Sequence, residues 1–249
     1  MSGHSKWATI KRKKAATDQA RGKLFSKYIK EITIAARQGG GDAEANPRLR
    51  SAIAAAKAVN MPAANVERAL KRGTGEIEGV HYEETQYEGY APGGVALLIE
   101  VATDNRNRTA GEIRHIFTKY SGAMGEAGSV AYLFKSRGVI CVDKSAVAED
   151  QLIELVLEAG ADDVNTEGEA FEVLTPPAQL EAVKEALVAK GVAVQSAEVT
   201  KIASVQIRVS EREAESLLKL VDAFEDHDDV QKVYANFNVP DEVLARLVR

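Results

Sequence analysis

One cysteine, Cys141, stands in the whole chain, which excludes an internal disulfide and a multi-cysteine zinc site. Its neighbours, Gly138-Val139-Ile140-Cys141-Val142, read as a buried strand, so core packing is the expectation for this thiol. Aromatics make up only 6% of residues, with a single tryptophan, Trp7. No apolar run approaches the roughly 18 residues a membrane span needs, and no transmembrane helix is expected. The histidines His4, His81, His115 and His227 lie far apart. No H-E-x-x-H pair, G-x-S-x-G elbow or triad spacing is present, so nothing recommends an enzyme, and no cofactor is expected.

What is present is an uneven charge. The 249 residues carry a net charge of −5. Residues 1–75 hold 16 Lys and Arg against five Asp and Glu, a net of +11, which leaves −16 on the remainder. Such a split points to a basic module joined to acidic ones. A composition of 45% hydrophobic and 28% charged residues is that of an ordinary globular protein. Mitochondrial transit peptides also begin with basic, acid-poor segments. Here the basic character continues to Arg72 through segments patterned as folded helices, so the start is read as mature protein and the expected location is the cytoplasm.

Residues 1–75 read as helical. Phe25, Tyr28, Ile29, Ile32 and Ala36 recur at three- and four-residue steps, with Lys23, Lys27, Lys30 and Arg37 on the opposite face. Gly39-Gly40-Gly41 ends this helix. Asn46-Pro47 supplies an N-cap and a first-turn proline for a second helix, which turns Leu49, Ile53 and Ala56 inward. Pro62 restarts a third helix through Val66 and Leu70, with Gly73 expected at its C-terminus.

Beyond Gly75 strands and helices alternate. Strands are expected at 82–90, 94–102, 129–134, 138–143, 163–166, 169–174, 192–200, 204–209 and 230–237. Helices are expected at 149–159, 177–190 and 210–224, and a capping box at Thr109-x-x-Glu112 is expected to open one more. The fold class is α+β and multidomain: an N-terminal helical domain followed by two α+β domains with antiparallel sheets. Residues 137–203 have a complete β-α-β-β-α-β order. The expected division is therefore a basic helical domain at 1–78, a discontinuous middle domain at 79–136 and 204–249, and an inserted domain at 137–203.

The basic module carries the strongest functional signal. Neutralising phosphates and releasing counterions supplies most nucleic-acid affinity. The candidate binding residues are Lys6, Trp7, Lys11, Arg12, Lys13, Lys14, Arg21, Lys23, Lys27, Lys30, Arg48, Arg50, Arg106 and Arg108. Lys11 to Lys14 are consecutive and suit an arm or a first turn, whereas Lys23, Lys27 and Lys30 form a stripe. Trp7 suits either a stacking platform or a core anchor one helical step from Ile10. Asp104-Asn105-Arg106-Asn107-Arg108-Thr109 sits between a strand and a helix start, where the two arginines either clamp a phosphate or serve capping and a surface ion pair. The glycine-rich stretch 121–129 follows a helix and precedes a strand, the reverse of a P-loop, so it is a contact loop or a plain connection. Glu225-Asp226-His227-Asp228-Asp229 matches no EF-hand spacing, and no metal is expected.

Together these residues resemble the YebC family. The likeness lies in Gly3-His4-Ser5-Lys6-Trp7, Lys13-Lys14-Ala15-Ala16, Arg21-Gly22-Lys23-Leu24-Phe25, Gly39-Gly40-Gly41-Asp42 and Asn46-Pro47-Arg48-Leu49-Arg50. It continues in Tyr87-Glu88-Gly89-Tyr90, the 104–109 segment, Gly128-Ser129-Val130, Asp228-Asp229-Val230-Gln231 and Val233-Tyr234. One departure is Arg12, where many members carry His. The resemblance implies a bacterial cytosolic protein of three domains around a cleft. Family members are labelled probable DNA-binding transcriptional regulators, while mitochondrial relatives resemble translational activators and bacterial members are linked to the ribosome. The implied partner is therefore nucleic acid, either DNA or ribosomal RNA, with no membrane. A monomer is compatible with the sequence.

Physical reasoning favours RNA. A DNA reader built on a helix-turn-helix wants a short turn and a recognition helix, and the glycine loop between the first two helices is long for that motif. A ribosome-bound factor would spread its contacts along the basic surface while its acidic domains limit how it docks.

Overall fold

The computed structural model describes residues 18–239 apart from 169. Helix α1 (Asp18–Gly39) packs against α2 (Pro47–Ala58) and α3 (Ala63–Thr74). Ile32, Ala35, Ala36, Leu49, Ala52, Ala56 and Ala69 form the buried core of this helical part, as the three- and four-residue periodicity requires. Asn46 joins the first two helices. Its side chain accepts the Leu49 N–H (3.1 Å) and donates to the carbonyls of Ala35 (2.8 Å) and Gly40 (2.9 Å).

The end of α3 differs from expectation. Gly75, not Gly73, takes the left-handed conformation that closes the helix (φ 81°). Gly73 is buried inside α3 at its crossing with α1, where a Cβ would come within 2.5 Å of the Thr33 carbonyl. The glycine is required there by close approach rather than by a turn.

A first sheet has the order β3-β1-β2-β9 and is antiparallel throughout. It is built from β1 (Glu83–Ala91), β2 (Val95–Thr103), β3 (Ala123–Met124) and β9 (Val230–Ala235). Strand β2 is buried on both faces. Leu97, Ile99 and Val101 meet α4 (Arg106–Lys119) and α7 (Glu211–Glu225), whereas Ala96 and Leu98 meet Val130, Phe134 and Tyr234. Phe117 of α4 and Phe224 of α7 pack edge to face at 4.8 Å. The expected Ser210 start of α7 is a full capping box with Glu213.

A second antiparallel sheet has the order β5-β6-β4-β7. Its strands are β4 (Phe134–Asp143), β5 (Asp163–Asn165), β6 (Ala170–Thr175) and β7 (Val194–Ala203). Helices α5 (Glu149–Glu158) and α6 (Leu180–Ala189) cover one face through Leu152, Val156, Val183 and Leu187. The chain is thus a helical region followed by two α+β domains. The first α+β sheet is completed only by a strand from beyond the second.

Three local expectations are corrected. Helix α4 starts at Arg106 with Asn105 as its N-cap, so Thr109-x-x-Glu112 is no capping box. Residues 129–134 are not a strand: Ala131–Leu133 form a 3-10 turn leading into β4. The expected strand 204–209 shrinks to β8 (Ile207–Arg208), parallel to β10 (Phe237–Asn238). Asn236 separates β9 from β10 because its side chain accepts the Ala96 N–H (2.7 Å) and its carbonyl accepts the Ile207 N–H (2.7 Å).

Candidate nucleic-acid interface

The lysine stripe occupies one face of α1 at positions i, i+4 and i+7, and that face is turned toward the carboxyl end of α7. Lys23 donates to the Asp226 carbonyl (3.2 Å), and Lys27 donates to the Glu225 carbonyl (2.7 Å). Lys30 places all three of its N–H groups: on Asp229 Oδ1 (2.7 Å), the Asp228 carbonyl (2.9 Å) and the Ala102 carbonyl (3.2 Å). It also lies over the Tyr82 ring. Carbonyls at a helix C-terminus carry partial negative charge, which suits three ammonium groups.

Asp229 is the hub of this contact. Its Oδ2 receives the hydroxyls of Thr109 (2.7 Å) and Thr103 (3.1 Å) and the Arg108 guanidinium (3.2 Å). Side-chain exposure is 11% for Lys30 and 7% for Asp229. Burial disfavours the charged carboxylate, but the Lys30 and Thr109 hydrogen bonds, the Lys30 charge and the Arg108 hydrogen bond outweigh it, holding Asp229 well below the usual carboxyl range. One carboxylate therefore ties together α1, the end of β2, the first turns of α4 and the start of β9. Sequence reasoning placed Asp229 in an acidic cluster and in the family-like run Asp228-Asp229-Val230-Gln231, with no binding role; the signal that could have marked it is its position just before an apolar strand.

The remaining described candidates fall into separate places. Arg48 bonds Glu31 in α1 (2.7 and 3.0 Å) and Glu84 in β1 (2.6 and 3.1 Å), forming a second link between the helical region and the first sheet. The Glu84 and Glu31 hydrogen bonds push its guanidinium above the ordinary value. Arg50 is exposed and donates to the Ala43 and Glu44 carbonyls. Arg108 also pairs with Asp104 (2.6 Å), whereas Arg106 is exposed, 3.5 Å from the Thr85 hydroxyl. Lys6, Trp7, Lys11, Arg12, Lys13 and Lys14 lie outside the described residues, and only the backbone of Arg21, in α1, is described.

The glycine-rich stretch is held by a residue that sequence reasoning missed. Glu88 of β1 is buried at 2% exposure. Its carboxylate accepts the N–H groups of Gly128, Val130 and Ala131, each at 2.7 Å. Burial opposes its ionisation, but these three bonds win and keep the carboxyl below its ordinary range. The Tyr90 hydroxyl adds a bond to the Ser129 carbonyl (3.1 Å). The only hint in the sequence was the quoted Tyr87-Glu88-Gly89-Tyr90.

Glu112, His227 and Asp229 bring possible metal-ligand atoms within 4.8 Å of one another. The chemistry suits hydrogen bonding instead. His227 Nδ1 accepts the Asp229 N–H (3.1 Å), so Nε2 carries the ring proton and donates to Glu112 (2.9 Å). Between the two α+β parts, Glu100, Ser136, Lys201, Lys232 and Tyr234 help line a cavity of about 180 Å³, in which Lys201 pairs with Glu100 at 2.6 Å.

These features define a three-part molecule: a cationic helical region bound through polar contacts to an α+β scaffold. Residues 5–76 match the TACO1/YebC protein N-terminal domain, and residues 82–237 match the TACO1/YebC second and third domain. The chain belongs to the TACO1/YebC family. Among its relatives is a "Probable transcriptional regulatory protein" of Desulfatibacillum aliphaticivorans, 57% identical over 98% of this chain and 99% of that one. Another, from Geobacter sulfurreducens, carries the same description and is 56% identical over the full length of both chains. The crystal structure of a conserved hypothetical protein from Aquifex aeolicus is 49% identical and superposes with a TM-score of 0.81, covering 91% of this chain and 94% of that one. No helix among the described residues is long and apolar enough to cross a membrane.

Proposed function

We propose that this chain is a non-enzymatic, nucleic-acid-binding regulator of gene expression that acts in the cytoplasm through its basic helical domain, with ribosomal RNA as the preferred partner. The observation that carries this reading is the net charge of +11 on residues 1–75 in a chain of −5. Arg37, Arg50, Lys57 and Arg68 add exposed cations on the helical region. The relatives' description as regulatory proteins supports the coarse assignment. The polar start of α4 at 104–109 and the stretch at 121–129 would supply further contacts on a large RNA, while the acidic remainder restricts how phosphate can approach. The domain division at 79–136 with 204–249 and at 137–203 belongs to this proposal. It makes the middle domain the support for the helical one.

A second reading, DNA-binding transcriptional regulation, is favoured by one feature. Helices α2 and α3, 12 residues each, are joined by residues 59–62, a connection short enough for a helix-turn-helix. Co-sedimentation with ribosomes separates the two readings. Lys13→Glu/Lys14→Glu is expected to abolish association that the unsubstituted chain retains at near-physiological salt. Unchanged co-sedimentation would overturn the ribosomal reading.

A further inference from the structure

The described lysines best spaced to follow a phosphate backbone already hold an anionic partner inside the molecule. Along α1 the steps from Lys23 to Lys27 to Lys30 are about 6 and 4.5 Å. What faces them is a row of oxygens: the carbonyls of Glu225, Asp226 and Asp228 and the carboxylates of Asp226 and Asp229. Chemically this row resembles a run of phosphate oxygens in offering negative charge and acceptor atoms to successive lysines.

The contact also has the make-up of a reversible one. Most apolar residues of α1 are spent on α2 and α3, and Ile34, one turn beyond Lys30, is buried outside that cluster. The core of the first sheet contains no residue of α1. Among the described residues, no hydrophobic cluster spans α1 and α7, so ammonium–oxygen bonds dominate the junction. The second link, Arg48 and Gln38 on Glu84, is equally polar. The rim pair of Lys23 with Asp226 is open to solvent and screened by salt, and moving Lys30 from Asp229 to a phosphate trades one charge-assisted bond for another.

We propose that the α1 lysine stripe is a polyanion site whose occupant in the closed molecule is the carboxyl end of α7 with Asp229, and that RNA phosphates compete with it for Lys23, Lys27 and Lys30. This rests on the nucleic-acid reading above and adds regulation to it. The closed molecule withholds its stripe and binds only through the remaining cations. Separation of α1 from α7 adds three ammonium groups to the RNA-facing surface and moves the acidic 225–229 segment away from it.

The test traps the closed state reversibly. Cys141→Ser/Lys23→Cys/Asp226→Cys is bridged with a reducible bismaleimide, and binding of a fluorescein-labelled single-stranded RNA is measured before and after the linker is cut. Charge and sequence are the same in both states. Lys27 and Lys30 are the stripe lysines this variant keeps, and their release is expected to raise affinity at least tenfold on cutting. Unchanged affinity, with RNA binding by the unsubstituted chain intact, overturns the competition while leaving the functional reading standing. Failure of the unsubstituted chain to bind either RNA or duplex DNA overturns both. Stronger capture of duplex DNA than of RNA after cutting overturns RNA as the occupant. A second measurement needs no substitution: amine acetylation of the free chain. Lys27 and Lys30 are expected to react at least tenfold more slowly than exposed Lys57, and equal rates would overturn the closed occupancy.

Discussion

The Lys30 ammonium lies 2.7 Å from Asp229 Oδ1 across 199 residues of sequence. This pair fixes where the helical region meets the first sheet. Burial makes the two partners unequal in consequence. Asp229 also holds Thr103, Thr109 and Arg108, so Asp229→Ala removes the one carboxylate paired with a buried ammonium and an acceptor from each of two buried hydroxyls. The expected cost is about 3–5 kcal/mol in urea unfolding. Asp226, whose side chain is 61% exposed, pairs with Lys23 at the rim. Asp226→Ala is expected to cost no more than about 0.5 kcal/mol. Equal costs would mean that burial does not govern this junction.

The pH dependence follows from the same carboxylate and from Glu88. Both are held below their ordinary values in the folded chain, so the unfolded chain binds more protons as pH drops below about 4. Their stabilisation is fully present above that point and is lost as pH falls toward the depressed values. Urea unfolding at pH 7, 5, 4 and 3 should show the gap between the unsubstituted chain and Asp229→Asn narrowing as pH falls. A gap that stays constant would show that Asp229 ionises in the folded chain as it does in the unfolded one.

Glu88→Gln should be costly despite its small size change. The new amide turns one acceptor into a donor facing backbone N–H groups, at a cost of about 2–3 kcal/mol. Hydrogen exchange at Gly128, Val130 and Ala131 is the direct reading, and faster exchange there than elsewhere in the chain is expected.

Gly73 and Gly75 separate two reasons for glycine. Gly73→Ala drives a methyl group into the Thr33 carbonyl and Ala36 and should lower stability by about 1–3 kcal/mol. Gly75→Ala meets open space and is penalised only for its positive φ, about 1 kcal/mol. Thermal unfolding of the two variants should therefore rank Gly73→Ala as the more damaging.

The sequence disclosed whatever is set by neighbours along the chain. Asn46-Pro47 and the apolar steps of α1 act within a turn or two, and their signals are local. The β1–β2 pair was visible because Ala91-Pro92-Gly93 breaks two β-rich runs. Gly73 was misjudged because a glycine near a helix end looks the same whether it caps or crosses. Thr109 was misjudged because its real partner, Asp229, lies 120 residues away. The lysine stripe was recognised as a stripe, but periodicity cannot say what stands opposite a face. Glu88 lay hidden among the three glutamates of β1, since only the fold decides which of them turns inward.

The most direct test of the central proposal is a competition experiment on the labelled chain. Duplex DNA, single-stranded RNA and intact ribosomes compete for it at low and at near-physiological salt, with Lys13→Glu/Lys14→Glu run in parallel. Electrostatic binding to all three weakens steeply with salt, so what survives is informative. The expected result is survival on ribosomes, lost in the double substitution. Survival only on particular DNA fragments, or no effect of the substitution, would contradict it.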